Sequence, residues 1–244
     1  MPVVASIMDE AGCVAALEGC DLAINLVGIL SPRGPATFEA IHVEGAARVA
    51  RLAACAGVER LIHVSALGAD VSSPSAYARS KAEGECAVTR AMPGAVIIRP
   101  RSYSGWAAPF PPCSRAWRAS CRWCRCSGRP PVSSRSGWGC GRRHAAPCNR
   151  WVHGRGRVRI GGPRIMTMRQ IVAWSARWAG HPRPLFEVPR WLANAQASVL
   201  EHLPGKVLTR DQVRLLYVDN VVAPGARTIE MLGITPAPMD LILG

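Results

Sequence analysis

The chain lacks an apolar run long enough to cross a bilayer. Its longest, residues 22–30, is interrupted by Asn25, and a spanning helix needs about 20 apolar residues. The succession of charged, apolar and small residues that marks a secretory leader does not follow Met1. Together these absences predict a cytoplasmic or peripheral protein. Acidic residues are also scarce, 16 against 30 Lys and Arg, for a formal net charge of +14. The imbalance is local. Residues 101–160 hold 13 arginines and no Lys, Asp or Glu, which leaves +1 for everything else. A chain basic throughout, as a dedicated nucleic-acid binder would be, is thereby excluded. Four cysteines outside that segment (Cys13, Cys20, Cys55 and Cys86) stand singly among apolar residues. They read as reduced thiols, not as a disulfide framework. The 244 residues suit one α/β domain with a small appendage.

What is present is concentrated between Glu59 and Pro100. Arg60 to Ser65 is a short apolar run after a stop at Gly57, the signature of a buried strand. Ser72, Ser73, Pro74 and Ser75 mark a loop and a helix start, and the helix is expected over 75–91, ended by Pro93-Gly94. Tyr77 and Lys81 are then i and i+4 and share one face. An ammonium beside a phenol favours the phenolate, which suits the tyrosine to acid/base work near neutral pH. Ser65, at a strand end, can hydrogen-bond a substrate oxygen. A lone Tyr-x-x-x-Lys is common by chance and usually an ordinary exposed helix face. A strand ending in serine, the tyrosine twelve residues on, and Arg99-Pro100 after the next strand make a more specific set.

This block, with NLVGIL, HVEGAARVARLA and LTRDQVRLLYVDNVV, resembles the extended and atypical short-chain dehydrogenase/reductases. Within them it is most similar to the branch of the NAD(P)H-binding accessory subunit of respiratory complex I (NADH:ubiquinone oxidoreductase) and its bacterial relatives. The resemblance covers residues 2–100 and 161–243. It implies an α/β fold, an NAD(P)-binding Rossmann-type doubly wound sheet with a small C-terminal helical subdomain. It implies NAD or NADP as cofactor, with Ser65, Tyr77 and Lys81 as the catalytic set. Tyr77, Lys81, Ile7, Asn25, Leu26, Val27, Gly28, Arg99 and Pro100 would line the cofactor. No metal is implied. Complex I subunits or a membrane surface are the implied partners, in a structural or assembly role; an NAD(P)-dependent reductase or epimerase-dehydratase is the competing reading. The family's Gly-x-x-Gly-x-x-Gly turn, which cradles the pyrophosphate at a helix N-terminus, does not occur in the 244 residues. The sheet is accordingly expected to be incomplete at its N-terminal strands, with impaired cofactor binding, weak or absent activity, and an exposed apolar edge at 22–30.

In chain order, residues 3–7 are expected as a strand, 8–19 as a helix, 22–30 as a second strand and 38–56 as a helix capped by Gly57. His42 is expected on that helix's surface. Three divisions follow: 1–100, a partial cofactor-binding domain; 101–160, an aberrant and largely irregular segment; and 161–244, a C-terminal substrate-side subdomain. In the last, Thr167 precedes a helix, 189–203 is amphipathic, and Thr209 and Gln212 form a capping box. Packing on the domain is the expected role of 189–203, with docking on a membrane or partner as the alternative.

Residues 101–160 hold six of the ten cysteines and five of the eight tryptophans. Cys121, Cys124 and Cys126 offer zinc thiolates, but no fourth ligand stands at fixed spacing. Arg interleaved with Trp fits single-stranded nucleic acid. We read the segment instead as a shifted reading frame, with no nucleic-acid partner. Cys and Trp codons begin with TG, and shifting by one base turns each into a Leu, Val or Met codon. Applied to residues 116–138, the rule restores an apolar helix end and strand. As written, the composition favours irregular structure. The coding DNA decides: the alternative frame should run open and family-like across these residues, and stop codons there refute the shift.

Overall fold

The computed structural model describes residues 3–100, 124–127, 132–135, 156–162, 164–178, 184–202 and 208–236, with the backbone alone at 124–127 and 132–135. Two compact units divide the chain: Met1–Pro100, Gly141–Ile160 and Pro224–Ile234 form the first, and Arg101–Cys140, Gly161–Ala223 and Thr235–Gly244 the second.

The first unit is built on a parallel sheet of β1 (Leu22–Asn25), β2 (Arg60–Val64), β3 (Val96–Pro100) and β6 (Gly156–Ile160), in the order β1-β2-β3-β6. Helices α1 (Glu10–Leu17), α2 (Gly45–Cys55) and α3 (Ala76–Ala91) contribute to one core cluster that includes Leu17, Ala50, Ala53, Leu61, Val88 and Ile97. Right-handed crossovers between neighbouring parallel strands put successive helices on one face. Val96, Ile98, Val158 and Ile160 face the other way and pack with Ile229. The central strand β3 is thus apolar on both sides, which is why it reads as a continuous run and not an alternation. A bridge from Arg159 to Thr228 ties Pro224–Ile234 to this unit.

The helices begin and end where the side chains allow. The Ser75 hydroxyl accepts from the Ala78 N–H and starts α3. Gly57, at φ 72°, turns the chain out of α2 in a conformation that costs other residues a clash. The expected 38–56 helix begins as a π-helical turn, Glu39–Glu44, that runs into α2. It is held close to α3 at Gly84, where an added Cβ would overlap the His42 carbonyl oxygen.

Two expectations need correction. Residues 3–7 form no strand: the chain turns, Asp9 N–H donating to Ser6 O at 2.9 Å, and Val4 is fully exposed. A strand needs a ladder partner, and none lies beside these residues among those described. The second strand stops at Asn25 and does not reach Leu30. The Asn25 Oδ1 accepts from the Val27 N–H at 3.1 Å, a side-chain turn that draws the backbone out of the ladder. Beyond it Leu26, Val27 and Leu30 are exposed, as are Leu22 and Ile24 on β1. This matches the expected apolar edge.

In the second unit β4 (Cys124–Ser127) pairs in parallel with β8 (Leu185–Val188), and β5 (Val132–Arg135) pairs antiparallel with β7 (Arg164–Thr167). These strands interrupt the irregular structure expected of 101–160, because a ladder is made by backbone groups that any composition supplies. Most of that segment, Cys121 included, lies outside the described residues, so the zinc, nucleic-acid and shifted-frame readings fall there. Helices α4 (Met168–Trp178), α5 (Arg190–Leu200) and α6 (Arg210–Leu216) complete the unit. The capping box at Thr209 and Gln212 is present. Ala193 and Ala197 of α5 pack with Val188 and Val213. The larger Trp191 and Val199 of this amphipathic stretch are 71% and 67% exposed; small residues are what let α5 lie close to its neighbours. No helix among the described residues is long and apolar enough to cross a membrane.

Replacing Gly84 with alanine should push α3 off the π-turn and destabilise the fold by about 1–3 kcal/mol. Urea denaturation followed by circular dichroism measures this, and an unchanged midpoint refutes the contact.

Candidate functional site

Helix α3 sends Lys81 under the C-terminal end of β2. Only 5% of the residue is exposed, and its Nζ donates to the Val64 carbonyl at 3.3 Å. The next residue is Ser65. Its N–H donates to Ile98 O at 2.8 Å, while its buried Oγ has no hydrogen-bond partner among the described residues. Gly28, just past β1, comes in from the other side: a Cβ there would lie 2.9 Å from Lys81 Nζ. A side chain at this position would have to displace the Lys81 ammonium. Burial pulls the Lys81 pKa down to about 8, against the opposing pull of Glu85.

His42 meets the same spot from the π-turn. Its Nε2 accepts from the Ile29 N–H at 3.0 Å. Its Nδ1 lies 2.9 Å from Ser80 Oγ, and Ser80 in turn donates to the Tyr77 carbonyl at 2.9 Å. Because Ser80 spends its proton on Tyr77, His42 carries its own on Nδ1. The ring stacks on Phe38 at 5.4 Å and meets the half-buried Tyr77 edge-on at 5.5 Å. Burial, with the nearby Lys81 charge, lowers its pKa to about 3. His42 is therefore a buried, neutral residue of the site; the expectation of a helix-surface position is wrong.

Beneath lies a second polar layer. With Asn25 Oδ1 committed to Val27, Asn25 Nδ2 donates to His63 Nδ1 at 3.3 Å. His63 then holds its proton on Nε2, a buried atom with no partner among the described residues. Burial and the Lys81 charge lower its pKa to about 4. Glu85, one turn past Lys81, is fully buried and takes Arg99 in a two-pronged pair, both contacts 2.7 Å, with Arg157 Nε at 2.9 Å.

Among the residues singled out from sequence, Lys81, Gly28 and Ser65 converge at the end of β2, with Tyr77 joined to them through Ser80 and His42. Asn25 turns the chain there, and Leu26 and Val27 follow it, exposed. Three others lie differently. Ile7 packs against Gly45, and its carbonyl accepts from Arg48 at 2.8 Å. Arg99 is tied to Glu85. Pro100 ends the β3 ladder, its carbonyl accepting from Leu67 N–H at 3.0 Å. Sequence reasoning missed His42, His63, Ser80 and Glu85. The available signal was a polar residue on an otherwise apolar face, as His42 follows Ile41 and precedes Gly45 and Val49.

No protein-family model matches the chain. Over 86 residues it is 38% identical to the mitochondrial NADH-ubiquinone oxidoreductase 40 kDa subunit of Neurospora crassa, a stretch covering 35% of this chain and 23% of that protein. Over 88 residues it is 39% identical to a protein named ceramide reductase from Caulobacter vibrioides, covering 36% and 27%. The chain thus spans about a quarter of the length of the curated relatives it matches. A dTDP-4-dehydrorhamnose reductase from Bacillus anthracis, solved in complex with NADP, superposes with a TM-score of 0.58 at 14% identity, over 76% of this chain and 72% of that one. The chain shares that reductase's Rossmann-type fold.

The depressed histidines set a pH window. Unfolded, His42 and His63 take up a proton near pH 6.5; folded, they refuse it until about 3 and 4. The unfolded chain therefore binds more protons as pH falls below 6.5, and stability falls with it, by up to about 1.4 kcal/mol per pH unit for each histidine. Denaturation midpoints should drop between pH 7 and 5, where carboxylates stay ionised, and His63→Gln should flatten the slope. A pH-independent midpoint in the parent protein contradicts the two neutral rings.

Proposed function

We propose that the first unit binds the nicotinamide end of NAD or NADP, and that the chain acts as a short-chain dehydrogenase/reductase-type protein beside respiratory complex I, in a structural or assembly role. The observation that carries the first part is Lys81: a nearly buried ammonium at the end of a parallel strand, one helical turn from Tyr77, with Gly28 passing against it. Ligands of open α/β sheets bind beyond the carboxyl ends of the strands.

The residues present fit the nicotinamide end of the nucleotide, while the glycine-rich turn that would cradle its pyrophosphate is not among the 244 residues, so weak binding is expected. A Cβ at position 28 would fill the space beside Lys81, and the Ser65 hydroxyl is buried without a partner, as a group awaiting a substrate oxygen would be. Lys81 and Tyr77 would hold the nicotinamide ribose, with Leu26, Val27 and Gly28 alongside. The nucleotide, when bound, supplies or accepts a hydride. Tyr77 gives or takes the accompanying proton, Lys81 stabilises its phenolate, and Ser65 orients the oxygen being protonated. Support for the complex I setting comes from the matched 40 kDa subunit.

A reductase acting on its own is the second reading. It is favoured by the likeness to the protein named ceramide reductase and by a lysine brought to about 8, within reach of working pH.

Two measurements separate them. A tagged chain expressed in its own host should comigrate with NADH dehydrogenase activity on a native gel; migration only as a free protein overturns the complex I role. Where the purified chain turns over NAD(P)H with a carbonyl substrate, Tyr77→Phe should slow it by about 10²–10⁴-fold, and an unchanged rate removes this site.

A further inference from the structure

On the side of the sheet away from β1, positive charge is left over. The register sets Ile97 beside Arg157 and Arg99 beside Arg159. Arg99 and Arg157 both reach Glu85 on α3, so they lie on the helix-covered face. Arg159, two residues past Arg157, lies on that face too. Three guanidiniums thus stand on two neighbouring strands, about 4.8 Å apart. One carboxylate answers them. Glu85 gives both oxygens to Arg99 and shares one of them with Arg157. Asp70 lies within the field of Arg99, but it is exposed, and its Oδ1 accepts from the Ser72 N–H and hydroxyl, both at 2.8 Å. Arg159 itself is half-buried. Its backbone N–H donates to Arg227 O at 2.8 Å, while its guanidinium has neither ion pair nor hydrogen bond among the described residues. Residues 101–160 contain no Asp or Glu, so β6 brings no counter-charge of its own.

We propose that Arg159, beside Arg99 and Arg157, is an oxyanion site that takes a phosphate group of the substrate. The proposal rests on the reading of this unit as a dehydrogenase/reductase-type domain, and it adds the substrate class, a phosphorylated carbonyl compound or alcohol. Three guanidiniums against one carboxylate leave two positive charges uncompensated, and a phosphate monoester carries about −1.5 to −2 at neutral pH. The guanidinium fork of donors fits phosphate oxygens. The placement suits a substrate. Val64 pairs with Ile98, and the Ser65 N–H continues that ladder to Ile98 O at 2.8 Å. Ser65, Arg99 and Arg159 therefore form one row across β2, β3 and β6, at the carboxyl ends of the strands, where ligands of open α/β sheets bind. Two interstrand steps, about 10 Å, separate the backbone of Ser65 from that of Arg159. A small molecule with its reacting oxygen at Ser65 can place a phosphate at Arg159. Gly28, just past β1, stands on the opposite side of Ser65, so the phosphate belongs to the substrate and not to the nucleotide.

Inorganic phosphate is the probe, with the full chain in low-salt chloride buffer and urea denaturation as the readout. Three proteins are compared at equal ionic strength: the parent, Arg159→Gln, and Arg90→Gln, which removes an exposed arginine of α3 and controls for net charge. Without phosphate, Arg159→Gln should unfold no earlier than the parent, because it relieves the repulsion between Arg99 and Arg159. Millimolar phosphate should raise the midpoints of the parent and of Arg90→Gln saturably, with an apparent affinity about tenfold weaker in Arg159→Gln. An equal response of all three places the phosphate on other arginines and overturns the proposal, as does a parent that does not respond. Should Arg159→Gln fail to fold, phenylglyoxal labelling of the parent with peptide mapping decides. Phosphate should slow the modification of Arg159 about tenfold and leave Arg90 unchanged; an unprotected Arg159 overturns the site. NADH added to the phosphate-bound protein should leave Arg159 protected, and loss of protection assigns the site to the nucleotide and overturns the substrate reading. The phosphate response needs neither nucleotide nor turnover, so its failure leaves the NAD(P) reading standing. A chain that ignores NAD(P)H loses that reading while its phosphate response stands.

Discussion

A carboxylate with no exposure to solvent, Glu85 on α3, is held between Arg99 on β3 and Arg157 on β6. Burying a charge of this kind is costly, and the cost is tolerable only because the Arg99 fork meets both oxygens and Arg157 adds a third contact. The geometry is correspondingly demanding. It fixes the rotation of α3 over the sheet, and that rotation decides where the rest of the helix points. One turn earlier, Lys81 is brought under the end of β2, and a further turn earlier Tyr77 reaches Phe38 and His42. The triad stabilises the fold less than it specifies one orientation of the helix.

The polar layer around it follows from the same constraint. Lys81, His63, His42 and Asn25 are all buried between helices and sheet, where each unsatisfied group is expensive. The histidines meet that cost by staying neutral. Asn25 and Ser80 satisfy most of the remaining nitrogens, and they do so by committing their own groups in a fixed donor order: Val27 to Asn25 to His63, and His42 to Ser80 to Tyr77. Among the described residues five buried side-chain atoms lack a hydrogen-bond partner, and two of them, His63 Nε2 and Ser65 Oγ, belong to the end of β2, where Lys81 is held.

The relatives and the fold place this arrangement in context. A parallel sheet with helices packed over one face and polar residues at the strand ends is shared with an NADP-bound reductase at only 14% identity. At that distance the shared property is architecture, and function has to be argued from the site. The sequence likeness to NADH-ubiquinone oxidoreductase and to a ceramide reductase bears on the branch. The positive charge is unevenly placed: with +13 confined to 101–160, the rest of the chain is nearly neutral.

The elements governed by neighbouring residues were legible beforehand. The β2 run, the Ser75 cap, the Tyr77–Lys81 spacing on α3 and the Thr209–Gln212 box each depend on residues within a turn of one another, so periodicity and capping chemistry disclose them. The exposed apolar edge followed instead from the resemblance, through the glycine-rich turn that the 244 residues lack. The sequence did not disclose that β1 would end at Asn25, because an Asx turn and an extended strand both tolerate that residue. Nor did it disclose that residues 3–7 would turn, since a strand exists only with a partner. His42 was misjudged for a related reason. Its burial depends on Ile29 and Ser80, 13 and 38 residues away, and on Gly84 admitting its backbone. Arg99 looked like a cofactor contact until Glu85 and Arg157 were brought to it by the sheet. Local pattern determined which residues could do acid/base chemistry. Only the packing of α3 against the sheet and the π-turn decided which of them are buried, neutral or paired, because burial and pairing are properties of contacts between residues distant in the chain.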